Sequence, residues 1–276
     1  MPLVTVVIPT FNRKAQLRRA VDSVLRQSFE DYQIHIVDDG STDNSVRDLQ
    51  ADLSEHEKIT FHYLPENLGV SAARNHAIRH SESEFIALLD SDDEWLPNKL
   101  QLQIEALGSH SAMVHSNEIW LRGDTPVPQR KKHQKGGDDQ FIPSLKLCVI
   151  SPSTSVIRRS TLDEVGLFRE DFPVCEDYEL WLRITHKYPL SFVEEALVIK
   201  HGGHDDQLSF KYHSMDYWRV KALLPFLKSA RDEDSKQAVQ AELKRKCHVL
   251  LKGFEKHGNL GSQYSEVAEI LSQLEP

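Results

Sequence analysis

Short apolar runs alternate with amphipathic segments over the first third of the chain. The runs Leu3 to Pro9, Tyr32 to Val37 and Ile59 to Leu64 are rich in β-branched and aromatic residues, which favours buried strands over helices. Apolar positions recur at helical spacing over about 14–27, and a second helix is predicted to run through about Leu53. This alternation predicts an α/β fold with a mostly parallel sheet and crossover helices.

The pattern is less regular after a further strand that is predicted at Met113 to Leu121. The segment 122–140 combines glycine, proline and a basic cluster, and it is predicted to be a mobile surface loop. From about Phe210 onwards the pattern is helical with charged faces, most clearly at Val239 to Phe254 and Tyr264 to Leu274. These helices are predicted to pack on the core, on an acceptor-binding domain or on a partner.

Capping residues predict where two of the helices begin and end. Ser71 can cap a helix that carries Ala72 to Ile78. Thr161 and Glu164 have the spacing of a capping box in a short helix, which Gly166 is expected to end.

An apolar run from Phe85 to Leu89 stops at a cluster of polar residues, Asp90, Ser91, Asp92 and Asp93. The run has the composition of a strand that is buried on both faces. Carboxylates crowded at its end repel one another and destabilise the fold unless a cation lies among them. A hard divalent ion, Mn or Mg, fits this set of oxygen ligands. The alternative is a polar turn in which Asp92 or Asp93 caps the next helix.

Three other polar clusters follow predicted strands, at Thr10 to Asn12, at Asp38-Asp39 and at His201 to Gln207. In a parallel sheet these clusters would meet the acids at one edge, which is the geometry of a nucleotide site. The chain has no glycine-rich phosphate loop, so a metal would have to hold the phosphates instead. Asp38 or Asp39 could accept a hydrogen bond from a base or ribose, or could simply form a turn and a helix cap.

A second acidic pair, Glu176-Asp177, precedes a predicted amphipathic helix. A carboxylate at this position is either a plain helix cap or a general base that accepts a proton from a hydroxyl nucleophile. Arg74 begins another helix near the strand ends, where it could pair with the acids, with phosphates or in a structural ion pair.

His204 is a further candidate metal ligand because neutral imidazole binds Mn-type ions. A turn or surface role for this residue remains open, and His201 competes with it in the same turn.

The amino-acid composition limits the kinds of molecule and the cellular compartment that are expected for this chain. The 276 residues carry a net charge of -9, whereas proteins that bind nucleic acid are usually basic, so polynucleotide is not expected as a partner. Cys148, Cys175 and Cys247 lie far apart, which indicates neither a disulfide framework nor a zinc site and fits a reducing cytosol. Neither a signal peptide nor a membrane-spanning run is predicted.

Taken in order, the motifs resemble those of the inverting family-two glycosyltransferases, which have a GT-A fold. The resemblance covers about residues 3–209, and it rests on VTVVIPTFNR (4–13), VDDGSTDNS (37–45), ENLGVSAARN (66–75), FIALLDSDDEW (85–95), GLFRE (166–170) and CEDYELWLR (175–183). It implies a mostly parallel, Rossmann-like sheet flanked by helices. It also implies a catalytic domain at 1–209, with a nucleotide-binding half at about 1–95 and an acceptor half at about 96–209. Residues 210–276 would be a C-terminal helical extension.

The resemblance also implies roles for particular residues. Asp90, Ser91 and Asp92 look like the D-x-D motif of the family, in which Asp92 would bind Mn or Mg. Asp177 looks like the catalytic base, and His204 like a histidine that reaches the metal or diphosphate. The nucleotide-sugar would contact Pro9, Thr10, Asn12, Asp39, Asn67, Arg74, Asp90, Ser91 and Asp92.

The expected reaction is transfer from a nucleotide-sugar, a UDP-sugar above all, to a saccharide or lipid-linked acceptor. The enzyme is expected in the cytoplasm, with a peripheral membrane contact and a homodimer left open. Two departures from the family pattern concern the acceptor side and the terminal turn. Phe168-Arg169-Glu170 replaces the usual G-F-D-E, and Lys200 is the nearest match for a basic residue before the terminal histidine. The loop at 122–140 would be a solvated linker, an acceptor-facing lid or a contact with acidic lipid.

Overall fold

The computed structural model describes residues 1–203 and 214–275, so the predictions for His204 and Gln207 lie outside the described residues. The strands are β1 (Val4–Thr10), β2 (Tyr32–Asp38), β3 (Ile59–Tyr63), β4 (Phe85–Leu88), β5 (Glu94–Trp95), β6 (Met113–Arg122), β7 (Thr125–Pro126), β8 (Val156–Arg158) and β9 (Leu190–Gly202). The α-helices are α1 (Lys14–Leu25), α2 (Ser45–Asp52), α3 (Val70–Arg79), α4 (Lys99–Leu107), α5 (Phe141–Lys146), α6 (Arg159–Val165), α7 (Glu176–Lys187), α8 (Met215–Leu223), α9 (Phe226–Ser229), α10 (Glu233–His257) and α11 (Ser262–Leu274).

One sheet organises the fold, in the strand order β3-β2-β1-β4-β8-β6-β9-β5, with β7 paired to β6. The first four strands in this order are parallel. Strand β8 is antiparallel to both β4 and β6, while β6 and β9 are parallel. The predicted α/β fold is confirmed, with a sheet that is parallel in its first half and mixed in its second.

Helices cover both faces of the parallel strands, which explains why the central strands β1 and β4 are buried at every position instead of at every second one. All seven residues of β1 are buried. One face packs against α1, α2 and α4 through residues such as Leu17, Val46 and Leu100. The opposite face packs against α3, α6 and α7, where Ala77 and Leu180 are fully buried. Packing on both faces therefore holds the sheet in place. The loops that follow the C-terminal ends of its parallel strands start from fixed positions.

The C-terminal helices pack on this chain rather than standing apart from it. Helices α8, α10 and α11 share a buried apolar cluster with α5 and α7, in which Tyr178 and Leu182 of α7 meet Leu243 of α10. The buried ammonium of Lys246 donates to the backbone carbonyl of Lys146 at 3.0 Å, which ties α10 to the end of α5. Helix α7, which carries the second acidic pair, thus lies between the sheet and the C-terminal helices.

The segment 122–140 is mostly exposed, as predicted for a surface loop, but it pairs with the sheet at two places. Thr125–Pro126 pairs with β6, and Asp138 pairs with Leu190 at the start of β9. The side chain of Lys135 is buried, with its ammonium 3.3 Å from the carboxylate of Glu118. A basic cluster in sequence usually indicates solvated charge, but here one of its lysines has a buried carboxylate as partner.

The two predictions from capping residues are wrong at the helix starts. Helix α3 begins at Val70 after Gly69, which has a φ of 94°, so Ser71 lies inside the first turn. Helix α6 begins at Arg159, and Thr161 donates a hydrogen bond to the carbonyl of Ala112 instead of capping. Gly166 does end α6, with a φ of 89° in the region that favours glycine.

Along the described residues, no helix combines the length and the apolar character needed to cross a bilayer.

Candidate active site

The carboxyl ends of β1 and β2 meet at Thr10 and Asp38, which are paired in the parallel ladder. The next residue, Asp39, donates its backbone N–H to the carbonyl of Thr10 at 2.9 Å. The hydroxyl of Thr10 is buried and has no hydrogen-bond partner among the described residues. Pro9 is buried one position earlier in β1. Two of the predicted nucleotide contacts, Thr10 and Asp39, are therefore adjacent in space.

The carboxylate of Asp39 connects β2 to the loop before α3. It accepts the backbone N–H of Leu68 at 2.8 Å and that of Gly69 at 2.9 Å. Burial raises the pKa of Asp39, while these two backbone donors act to lower it. Asp39 is thus held in one orientation against the loop that contains Asn67, an exposed residue directly before Leu68.

Gly40 permits the close approach of these two loops. It has a φ of +77°, and a Cβ atom here would come within 2.7 Å of the backbone carbonyl carbon of Glu66. Any larger residue would push the turn after β2 away from the loop that carries Asn67. Glycine is therefore required for steric reasons at this position of the VDDGSTDNS motif.

Asn12 links the turn after β1 to the turn after β2. Its side-chain oxygen accepts the backbone N–H of Thr42 at 2.8 Å, and its own backbone N–H donates to the Ser41 hydroxyl at 2.9 Å. Asp38 forms a local turn by accepting the backbone N–H of Ser41 at 2.8 Å. The sequence did not decide which of Asp38 and Asp39 forms a turn. In the structure Asp38 forms the turn, whereas Asp39 connects the end of β2 to the loop before α3.

The acidic turn after β4 gives each of its carboxylates a different partner. Asp90 accepts from the guanidinium of Arg74 at 2.7 Å, and Asp92 lies 2.6 Å from that of Arg13. Asp93 is buried and accepts from the hydroxyl of Ser153 at 2.7 Å. Helix α4 begins only at Lys99, after Asn98, so neither Asp92 nor Asp93 caps it. The alternative of a helix-capping turn is therefore excluded.

Charge around this turn is balanced by cations that are buried or partly buried. Burial raises the pKa of Asp93 well above its ordinary value, against the attraction of Lys200. Burial also acts to raise the pKa of Asp90, but Arg74 and Lys200 lower it below its ordinary value. The ammonium of Lys200 donates to the hydroxyl of Ser151 at 3.1 Å. Although burial opposes its charge, the carboxylates of Asp93, Glu118 and Asp90 raise its pKa.

Arg74 joins the two acidic clusters. Its guanidinium is buried and donates to Asp90 on one side and to Glu176 on the other, at 2.7 and 2.8 Å. The ring of Phe168 lies 5.1 Å from the guanidinium carbon and covers it. Burial raises the pKa of Glu176 to about 7, and the neighbouring Asp177 raises it too, against the pull of Arg74. In this structure Arg74 makes a double ion pair with acids from distant parts of the chain.

Asp177 lies in the first turn of α7, directly after Glu176, and its side chain is half-buried. One carboxylate oxygen accepts the backbone N–H of Tyr178 at 2.6 Å, and the other lies 3.5 Å from the thiol of Cys148. Cys175 just before the helix has a φ of 61°, and this left-handed residue turns the chain into α7. The acidic pair is therefore linked through Arg74 to the acidic turn after β4.

Sequence reasoning missed three residues that shape this site, Arg13, Ser153 and Cys148. It identified a fourth, Lys200, only as the nearest match for a basic residue before the terminal histidine. A role as partners of the acidic turn followed from the position of neither Arg13 nor Lys200. Ser153 and Cys148 gave no signal, because a lone serine and a lone cysteine are not distinctive. The thiol of Cys148 has its pKa raised well above the ordinary value by burial and by Asp177, so it stays protonated and donates to that carboxylate.

Of the two predicted metal ligands, Asp92 and His204, only Asp92 lies within the described residues. Asp90 and Asp92 each use a carboxylate oxygen for an arginine, and the hard oxygen donors of this pair are of the type that Mn and Mg prefer. Ser91 between them is buried. His201 does not point to an open position, since its Nε2 lies 2.9 Å from the carboxylate of Glu94 and its backbone N–H donates to Asp93. The donor chemistry of Asp90 and Asp92 thus fits a hard divalent ion.

Comparison with known protein families matches residues 5–166 to the model of Glycosyl transferase family 2, which is more than half of the chain. Two bacterial relatives are about one-third identical to the chain. One is the UDP-Glc:alpha-D-GlcNAc-diphosphoundecaprenol beta-1,3-glucosyltransferase WfgD of Escherichia coli, which is 32% identical over 193 residues, or 69% of this chain and 73% of that protein. The other is the putative teichuronic acid biosynthesis glycosyltransferase TuaG of Bacillus subtilis, which is 31% identical over 186 residues, or 67% of this chain and 73% of that protein.

A longer relative and two solved structures complete the comparison. An uncharacterized glycosyltransferase of Rickettsia felis is 30% identical over 223 residues, or 76% of this chain, but the match spans only 36% of that protein. The structure of S. aureus TarS 1-349 in complex with UDP-GlcNAc superposes with a TM-score of 0.81 at 21% identity, covering 99% of this chain and 81% of that one. The mannosyltransferase PcManGT from Pyrobaculum calidifontis, in complex with GDP-Man and Mn2+, gives 0.61 at 17% identity, covering 99% and 85%. These likenesses establish the fold.

Proposed function

The chain belongs to glycosyl transferase family 2 and has a GT-A type fold, and we propose that it transfers a sugar from a UDP-sugar to an acceptor hydroxyl with inversion. The acceptor is a saccharide or a lipid-linked saccharide, and the product is part of a bacterial cell-surface polysaccharide or glycolipid. The observation that carries this proposal is the double ion pair of Arg74, because it links the acidic turn after β4 to the pair Glu176-Asp177. The names of the Escherichia coli and Bacillus subtilis relatives support the donor and the product.

The nucleoside would bind where the loops after β1 and β2 meet. Asp39 is fixed by two backbone donors and retains lone pairs that can accept from a base or a ribose hydroxyl. Thr10 offers a buried hydroxyl that has no partner within the described residues. Asn12 and Asn67 lie in the turns on either side, and Pro9 forms the floor with the end of β1.

The diphosphate would bind over the acidic turn, where Asp90, Ser91 and Asp92 form the D-x-D motif. Asp92, together with His204, would hold Mn or Mg, and a bound ion of this kind neutralises charge on a departing diphosphate. The chain contributes its own cations beneath the turn. Arg13 fixes the carboxylate of Asp92, and Arg74 fixes that of Asp90, so both acids keep their orientation.

Asp177 would act as the general base. It would accept the proton of the acceptor hydroxyl while that oxygen attacks the anomeric carbon from the face opposite the diphosphate. The new bond to the acceptor oxygen forms as the bond to the diphosphate oxygen breaks, which inverts the anomeric configuration. The thiol of Cys148 and the N–H of Tyr178 each donate to a different oxygen of Asp177, and they hold the carboxylate in place.

We propose that residues 1–209 form the catalytic domain and that 210–276 are a helical extension that stabilises α7 by packing against it. The extension shares its apolar cluster with Tyr178 and Leu182 of α7, so it supports the helix that begins with the proposed base. A lipid-linked acceptor would bring the chain to the inner face of the cytoplasmic membrane as a peripheral protein.

A donor screen tests the proposal. The purified protein is incubated with UDP-, GDP- and dTDP-sugars in the presence of Mn, and release of the nucleoside diphosphate is measured. We expect release from a UDP-sugar, and with an added acceptor we expect NMR to show a product of inverted anomeric configuration. Nucleotide binding in a thermal-shift assay without any sugar release or transfer would instead indicate a binding domain without catalytic activity.

A further inference from the structure

A cluster of imidazoles lies outside the proposed active site, between the edge strand β3 and the end of α3. It consists of His62 from β3 and of His76 and His80 from the last turn of α3 and the residue after it. His76 comes two residues after Arg74, which at 100° per residue places it on the opposite side of the helix. The cluster therefore does not share the face of α3 that contacts the acids of the active site.

The ligand atoms of this cluster have the spacing of a metal site. One nitrogen from each of His62, His76 and His80 lies within 4.8 Å of the others. Nδ1 of His62 lies 3.3 Å from Nε2 of His76. Zinc-nitrogen bonds of about 2.0–2.1 Å in a tetrahedral site place two ligand nitrogens about 3.3–3.4 Å apart. The nitrogens of His62 and His76 already have this separation, and the exposed His80 supplies a third nitrogen within 4.8 Å of the other two.

The outer nitrogens of two rings are held in the way that metal sites require. Nδ1 of His80 lies 2.8 Å from the backbone carbonyl of His76, to which it donates, so its Nε2 keeps a lone pair. Nε2 of His62 lies 3.3 Å from Nδ1 of the buried His35. When the Nε2–H of His62 donates to Nδ1 of His35, the lone pair on Nδ1 of His62 is available to coordinate a metal ion. These two contacts orient the rings of His62 and His80 before any ion binds.

We infer that His62, His76 and His80 form a binding site for Zn2+, with a fourth position open to solvent at His80. Three imidazoles select a borderline transition metal ion rather than the hard Mg or Mn that suits the carboxylates after β4. An ion here joins β3 to the end of α3, and α3 carries Arg74. The site is therefore expected to stabilise the element that positions the acidic clusters.

Cobalt titration of the full chain tests this inference, because tetrahedral Co2+ absorbs visible light and is displaced by Zn2+. The protein carries Asp92→Asn, so that the proposed active-site metal position is weakened, and it is freed of metal with a chelator. We expect one equivalent of Co2+ to give a visible absorption band that one equivalent of Zn2+ removes. Zn2+ is also expected to raise the Tm.

His80→Gln and His62→Gln, made in the same background, are expected to lose the band, whereas His110→Gln, an exposed histidine near the end of α4, is expected to keep it. Because His80 is exposed, its replacement leaves folding unchanged, and the Tm of each metal-free variant verifies this. A band that persists unchanged in the His62→Gln and His80→Gln double variant, or no band in the parent, would overturn the inference.

Discussion

The guanidinium of Arg74 donates a hydrogen bond of 2.7 Å to the carboxylate of Asp90, from a side chain that is only 3% exposed. Its other terminal nitrogen donates to Glu176, which is 102 positions further along the chain. One buried cation therefore fixes the distance between the acidic turn after β4 and the start of α7. Loss of that cation would leave the buried Glu176 and the partly exposed Asp90 without their partner, so both stability and transfer should depend on it.

Arg74→Met is expected to lower the free energy of unfolding by about 3 kcal/mol, at the lower end of the cost of breaking a buried pair, because Asp90 is partly exposed. It should also reduce transfer, since α7 loses its link to the acidic turn. Urea denaturation and a donor-turnover assay measure the two effects. Arg79→Met, which removes an exposed partner of Glu170, should change stability by less than about 0.5 kcal/mol. Equal effects of the two substitutions would show that the buried bridge has no special role.

Asp177→Asn is expected to reduce kcat by about 10²–10⁴-fold, because the amide cannot accept the proton of the acceptor hydroxyl. The Kd for UDP, measured by calorimetry, should stay within a factor of about two, since the proposed role of this carboxylate is toward the acceptor and not toward the nucleotide. Asp171→Asn in the preceding loop is the matched control, because that aspartate is exposed and pairs with Arg169. Full activity of Asp177→Asn would assign the base to another residue.

Asp92→Asn is expected to weaken the Mn-dependent part of UDP binding, and chelation of the metal should weaken binding by the wild type in the same way. The physical reason is that an amide is a poorer ligand than a carboxylate for a hard divalent ion. Calorimetric titration of UDP with Mn and with a chelator separates the two contributions. Asp52→Asn, an exposed residue at the end of α2, should behave like the wild type. A chelator that has no effect on UDP binding by the wild type would contradict the assignment.

Local patterns predicted the strands that form the floor of the site. The runs that become β1 and β4 are mostly apolar and every residue of both strands is buried, whereas β2 carries Gln33 and His35 between its apolar residues. The acids after β4 were recognisable because carboxylates at a strand end are costly without a cation. The sequence indicated that Arg74 could pair with these acids, but it left phosphates and a structural ion pair as alternatives. Arg74 reaches both Asp90 and Glu176 because the fold brings three distant segments together, which no local pattern contains.

The incorrect predictions share a physical cause, which is that tertiary contacts outweighed a local signal. Ser71 is a good capping residue, yet Gly69 can adopt a φ of 94° and the helix starts before the serine. Lys135 belongs to a basic cluster that indicated solvated charge, yet Glu118 provides a buried partner for it at 3.3 Å. Periodicity and composition do not contain the distance between such residues, so neither contact was accessible from the sequence.

The raised pKa of Glu176, about 7 in the folded protein, predicts a particular dependence of stability on pH. The unfolded carboxyl has an ordinary pKa of 4.5, so between these values the folded state binds the proton more tightly. Stability from this group is fully present below about pH 4.5 and is lost as the pH rises through about 7. The pKa of Glu176 is raised chiefly by burial, which disfavours the ionised form, and also by the neighbouring charge of Asp177.

Glu176→Gln, which stays neutral at every pH, should remove this contribution. We expect the free energy of unfolding, measured by urea denaturation from pH 5 to pH 8, to fall less steeply for Glu176→Gln than for the wild type. Glu55→Gln replaces an exposed glutamate and should reproduce the wild-type slope. If Glu176→Gln also followed the wild-type slope, Glu176 would have to be ionised throughout this range, and the Arg74 pair would then dominate over burial.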